Sequence, residues 1–365
     1  MRAPGDRVPA TSVVLSACCR HTPCPIDCDP MLTSLSTTME RRQVGLYLTA
    51  LTVGAAAGLI SPGVPEAAGL VVEPVLGLLL FTTFLAVPFG RLGAAVRDLR
   101  FLCAVTAVNF LCVPPVVWLL TRPLSWTETG IDHVDHVDHV ALVVGVHLVL
   151  LAPCVDYVIV FTGLAGGAAD RLLTATPLLM LTQMLLLPVL LGLFTGPEVV
   201  EALDPGPFIS AFLWLIVVPM TAAAATQWLA ARPSGPGRAG HCISEACGVL
   251  TVPLMMLTLA VVVASQIGAV LAHWRELAAV IPVFVAFSAV MPVIGAMVGR
   301  VAGLGVASRR AVVFTAVTRN SLVVLPTALT LPPVFSAAPL VVVTQTLVEL
   351  VVMVVMVRVV PLLVR

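Results

Sequence analysis

Ten apolar stretches, each near the ~20 residues that carry a helix across ~30 Å of hydrocarbon, fill most of this chain. They run roughly over 44–60, 74–90, 101–120, 140–165, 172–194, 207–230, 243–271, 278–300, 310–331 and 338–360. Only helices and closed barrels satisfy every backbone polar group inside lipid, and these are helical lengths. The expected fold is an all-α membrane protein with ten transmembrane helices. Composition agrees: 59% of the 365 residues are hydrophobic and 10% are charged, whereas soluble domains carry about 25% charged residues.

Charge alternates from one connection to the next. Arg41 and Arg42 precede the first stretch, Arg91, Arg97 and Arg100 follow the second, and Arg171 follows the fourth. Arg232 and Arg238 follow the sixth, Arg300, Arg309 and Arg310 the eighth, and Arg358 and Arg365 close the chain. The other connections carry Glu66, Glu73, Glu128, Glu198, Glu201, Asp204 and Glu276, with only Arg122 and Arg275 as basic residues. Arginine collects on the cytoplasmic side, so both termini are expected there and the protein in the plasma membrane. Five crossings per half insert the halves in opposite senses. Residues 41–200 form one five-helix repeat and 201–365 its inverted copy, which makes the fourth and ninth stretches symmetry mates. Residues 1–40 are polar and rich in Pro and Cys, and read as a disordered cytoplasmic tail or as sequence upstream of a true start at Met31 or Met39.

The two mates are also the stretches least suited to plain spanning. Leu151-Ala-Pro-Cys-Val-Asp-Tyr-Val-Ile-Val-Phe-Thr-Gly-Leu-Ala-Gly-Gly167 holds a proline, a thiol, a carboxylate and three glycines. Phe314-Thr-Ala-Val-Thr-Arg-Asn-Ser-Leu-Val-Val-Leu-Pro326 holds Arg319, Asn320 and Pro326. An acid or arginine at mid-membrane costs roughly 2.5–3.5 kcal/mol on insertion scales. Proline removes a backbone donor and breaks the helix at Pro153. Discontinuous helices in matching positions of two halves mark a transporter's binding site, so the two stretches are expected to form its two walls. Intramembrane acids act by default in function, which singles out Asp156, and also Glu349 in the tenth stretch. Arg319 is their candidate partner, and the three read either as an ion-coupling set or as an ion pair that only locks the core. Asn320, Ser321 and exposed carbonyls are oxygen ligands of the kind a hard cation takes.

The segment from Ala152 to Gly167 resembles the fourth-span motif of the bile acid/sodium symporter superfamily. It is most similar to the arsenite-efflux permease branch, whose pattern reads approximately A-R-C-I-A-M-V-I-V-W-N-D-L-A-x-G. The cysteine, the Val-Ile-Val and the Leu-Ala-x-Gly end fall in register. Thr318-Arg-Asn-Ser321 resembles the superfamily's second crossover. Pro153 stands where that branch usually has Arg, and Leu322 where it has Glu. The resemblance implies that helices four and nine unwind and cross mid-membrane. It also implies a core of spans three to five and eight to ten, which moves against a panel of spans one, two, six and seven. It puts Cys154 on the permeases' essential cysteine, with Pro153, Asn320 and Ser321 around the substrate. A soft thiolate suits thiophilic trivalent arsenic.

The expected function is secondary active transport. The first reading is arsenite or antimonite efflux driven by the proton gradient; the alternative is sodium-coupled transport of an organic anion on the same fold. Partners are thus a small anion or metalloid, H+ or Na+, and lipid. No phosphate-cradling Gly-rich loop supports direct use of ATP, no basic patch interleaved with aromatics supports nucleic-acid binding, and no enzyme activity, cofactor or resident metal is expected. The nine cysteines are odd in number and scattered, unlike a disulfide framework. Asp132-His-Val-Asp-His-Val-Asp-His-Val140 reads as a triplet expansion in a tolerant external loop rather than a metal site.

Overall fold

The computed structural model describes residues 43–61, 63–86, 98–125, 133–154, 157–195, 213–232, 235–329 and 331–365. The described chain is helical, without a named strand. Five helices are long and apolar enough to cross a membrane: Leu99–Pro123, Leu178–Thr195, Ala246–Ala272, Ile281–Val301 and Pro333–Leu363. A sixth candidate is the pair Val64–Val72 and Pro74–Leu85, bent by 40°. Most of the remaining apolar sequence forms shorter helices, and two of the expected spans are interrupted by non-helical residues.

In chain order, the first half comprises α1 (Gln43–Ile60), α2 (Val64–Ala86), α3 (Leu99–Ala107), α4 (Val113–Ser125), α5 (His133–Leu150), α6 (Tyr157–Leu164) and α7 (Ala169–Thr195). The second comprises α8 (Val218–Ala230), α9 (Gly235–Ala272), α10 (Trp274–Ala278), α11 (Ile281–Val301), α12 (Val306–Val317), α13 (Ser321–Leu329) and α14 (Ala338–Leu363). The second span starts about ten residues earlier than its apolar run, at Val64, because Glu66 and Glu73 are carried inside the helix. The Asp-His-Val repeat is a further correction: from His133 onward it is the first two turns of α5, not a loop. Residues 1–40 and Asp156 lie outside the described residues.

Among the described residues two π-helical turns stand out, at Val108–Cys112 and Leu213–Val217. Each precedes proline: Pro114 and Pro115 after the first, Pro219 after the second. Proline lacks the N–H that would close the preceding turn and its ring crowds the carbonyl four residues back. Widening the turn relieves that crowding.

The helices pack as two groups. Helices α1, α2, α8 and α9 lie against one another, with α9 in contact with each of the others. Helices α3 to α7 and α11 to α14 form the second group, in which α14 touches α5, α11 and α13. The groups meet chiefly through α9 on α14, and also through α2 on α13. Lipid tails are as apolar as leucine, so close backbone approach and interhelical polar contacts hold such helices together rather than hydrophobic exclusion. Gly145 of α5 lets α14 come close: a Cβ there would lie 2.8 Å from Cβ of Val341. On α7, Leu178, Leu181, Leu185, Val189 and Leu193 form an exposed stripe, while Leu179, Met180, Gln183, Leu187 and Leu191 are buried. Their spacing of three and four residues gives a lipid face and a protein face to one helix.

Candidate functional site

Helix α5 stops at Leu150. The next two amides still bond backwards, Leu151 N–H to the His147 carbonyl (3.1 Å) and Ala152 N–H to that of Val149 (3.3 Å). Pro153 then has no N–H to continue, and a residue before proline is driven out of the helical region. Helix α12 stops at Val317, and Thr318 is extended (φ −77°, ψ 134°). The released backbone groups bond to each other. Cys154 N–H donates to the Thr318 carbonyl (3.2 Å) and Asn320 N–H to the Ala152 carbonyl (2.8 Å), making an antiparallel bridge between Pro153 and Arg319. Irregular backbone at membrane depth is stable only when satisfied within protein or facing a water-filled cavity. Here each break satisfies the other.

Four helix ends therefore converge: α5 and α12 finish at the crossing, and α6 and α13 begin there. Helix packing repeats the exchange, with α6 against α12 and α13 against α5. Pro326, one of the odd residues of the second stretch, is inside α13. That break falls at Thr318–Asn320, upstream of the proline.

Arg319 is fully buried, at 0% exposure. Its Nη1 donates to the Leu150 carbonyl (3.2 Å), and its Nη2 to the carbonyls of Thr315 (2.7 Å) and Ala316 (2.8 Å) and to Oδ1 of Asn109 (2.9 Å). Leu150 ends α5, and Thr315 and Ala316 belong to the last turn of α12, so the guanidinium caps the C-terminal ends of both interrupted helices. Those ends carry the negative pole of the helix dipole and favour a cation. Phe287 lies beneath the guanidinium, with Cζ 5.3 Å from the ring centroid. Asn109, in the first π turn, is buried; its Nδ2 donates to the Val105 carbonyl (3.0 Å) and to Thr315 Oγ1 (3.1 Å).

Glu349 of α14, 2% exposed, is the only buried acid among the described residues. Its Oε2 accepts from the Arg319 backbone N–H (2.9 Å) and from Nε2 of Gln345, one turn earlier on α14. Cys154, Asn320 and Ser321 are each 1% exposed and Gln345 is 3% exposed. Nδ2 of Asn320, Oγ of Ser321 and Oε1 of Gln345 are buried without a hydrogen-bond partner among the described residues. Buried polar atoms are normally satisfied, so an unmet set next to a backbone break is a place where water, an ion or a substrate can supply the missing partners. The acceptors are hydroxyl, amide and carboxylate oxygens, the ligands of a hard cation. Among the described residues no three His, Cys, Asp or Glu side chains gather, so a soft-metal cage is not built from them.

The structure brings together Pro153, Cys154, Arg319, Asn320, Ser321 and Glu349 from the sequence-selected residues. It adds three that were not selected: Asn109, Thr315 and Gln345. Asn109 carried a usable signal as a lone amide in an apolar stretch, and so did Gln345, one helical turn from an intramembrane acid. Thr315 carried none, since threonine in an apolar helix commonly bonds its own backbone.

None of the curated protein sequences compared matches the chain. The family model for the sodium bile acid symporter family matches residues 73–272, more than half of the chain. The match includes the first break, at Pro153 and Cys154, and the apolar span that holds Asn109. This chain belongs to the sodium bile acid symporter family, whose members are membrane transporters.

Proposed function

We propose that the chain is a secondary active transporter that moves an organic anion with Na+ through the crossing of its two interrupted helices. The observation that carries this reading is the buried oxygen set at the crossing: Ser321 Oγ and Gln345 Oε1 unpartnered, beside the Glu349 carboxylate. Asn320, Ser321, Pro153 and Cys154 line the substrate side, and Glu349, Arg319 and Asp156 form the ion-coupling set. In this reading the chain crosses the plasma membrane ten times, as inverted repeats 41–200 and 201–365 with cytoplasmic termini. The α1, α2, α8 and α9 group is the panel against which the other helices move. Two features support that division: the panel helices pack chiefly on one another, and α9 and α2 reach α14 and α13, which carry the site.

A second reading rests on Cys154, a thiol 1% exposed whose own N–H bonds across the crossing. It is proton-driven efflux of arsenite or antimonite, with the thiol as a reversible soft ligand. Purified protein in liposomes separates the two. For the first, uptake of a bile-acid-like anion is expected to follow an imposed Na+ gradient, to vanish when choline replaces Na+, and to keep that dependence on Na+ in Cys154→Ser. Arsenite flux that ignores Na+ and is lost in Cys154→Ser would establish the second reading instead.

A further inference from the structure

From the ligation of Arg319 we propose that its guanidinium is a built-in cation, occupying a position that a monovalent ion would otherwise fill. This deepens the transport reading above and rests on it for its consequence, though not for its test. Four oxygens surround the group within 3.2 Å: the carbonyls of Leu150, Thr315 and Ala316 and Oδ1 of Asn109. Three are backbone carbonyls at the ends of two helices, both presenting the negative pole of the dipole. The fourth is a neutral amide oxygen. A shell of carbonyl and amide oxygens is what alkali cations take in place of water.

Charge makes the same point. Among the described residues, Arg319 and Glu349 are the only buried side chains of their respective charges, and the carboxylate sits on the backbone N–H of Arg319 itself. Removing the guanidinium leaves an oxygen-lined void at the negative poles of two helices, an arrangement that favours a positive ion. A tethered cation cannot leave with the cargo. Each transport cycle of the natural protein then carries one cation fewer than a version in which that position is filled from solution.

Thermal unfolding of the purified full-length chain tests this without any transport. Midpoints are compared for the natural protein and Arg319→Ala in choline chloride, in NaCl and in choline chloride with millimolar guanidinium. Arg319→Ala is expected to be destabilised in choline. Na+ or guanidinium should raise its midpoint by on the order of 5 °C more than the same addition raises that of the natural protein. A response no larger than that of the natural protein overturns the proposal. If Arg319→Ala cannot be purified, Arg319→Lys decides. Retaining a tethered charge, it is expected to fold and to show no added cation response. Failure of Arg319→Lys alongside Arg319→Ala would mean that the fork geometry matters and the charge does not, which also overturns the proposal. Loss of the transport reading itself would appear separately, as liposomes that move no anion whichever cation is present.

Discussion

Glu349→Gln is expected to reduce the initial transport rate by about a hundredfold or more while leaving the helical fold in place. The side chains are nearly the same size, so packing within α14 changes little. The chemistry changes in two ways. Oε2 accepts from both the Arg319 N–H and Nε2 of Gln345. A glutamine oxygen can still accept from both donors, but without the negative charge that strengthens each bond. Arg319 would also lose the carboxylate that its own backbone N–H meets, the only buried acid among the described residues. A hydrogen bond to a charged group contributes about 1.5–3 kcal/mol, two are weakened here, and each 1.36 kcal/mol on a barrier is about tenfold in rate. Glu349→Asp retains the charge but draws it back by one methylene, so it should keep a measurable fraction of the rate with a weakened dependence on Na+. The check is initial flux in liposomes, with circular dichroism on the same preparations. A Glu349→Gln protein that transports within a few fold of the natural rate would remove the carboxylate from ion coupling.

The residues that meet at this crossing were legible in the sequence because lipid makes them conspicuous. Arg319, Asn320 and Glu349 stand out from apolar surroundings where each polar group costs free energy, and Pro153 stops a helix by its own covalent structure. The site of the second break was not legible. Pro326 is the local breaker in that stretch, yet α13 continues through it to Leu329, and the chain opens at Thr318–Asn320. What fixes the opening there is the bridge to Ala152 and Cys154, a contact between residues more than 160 positions apart that no local pattern encodes. Asn109 is conspicuous as a lone amide, but its role meets the same limit. Its apolar stretch reads as a plain span, and its role depends on meeting Thr315 and Arg319 from the other half of the chain. Helix number was blurred for a related reason: apolar runs record where the chain is in lipid, while continuous helices record where the backbone bonds to itself. At a functional break the two diverge.

Gly54→Leu and Gly58→Leu are expected to separate α1 from α9 and to lower the thermal midpoint by roughly 5 °C or more each, with Gly45→Leu close to neutral. The argument is one of distance. A Cβ on Gly54 would lie 2.4 Å from the Ala260 carbonyl oxygen, and one on Gly58 would lie 2.4 Å from that of Ala264. Both obstacles are backbone, so no side chain can swing aside; the helices themselves would have to part. Glycines four residues apart facing alanines four residues apart form the small-residue seam by which helices associate in lipid. Gly45, on the same helix, has nothing within 4 Å of a would-be Cβ and controls for any general effect of leucine in α1. Because α1 packs chiefly on α9, with only lesser contact to α2, opening this seam should loosen the first group of helices while the bridge from Pro153 to Arg319 persists in the second. Transport should then fall together with the midpoint, since a panel that no longer moves as one body cannot gate the crossing. Full activity in a Gly58→Leu protein would mean that α1 is dispensable to the moving unit, and would confine that unit to α2, α8 and α9.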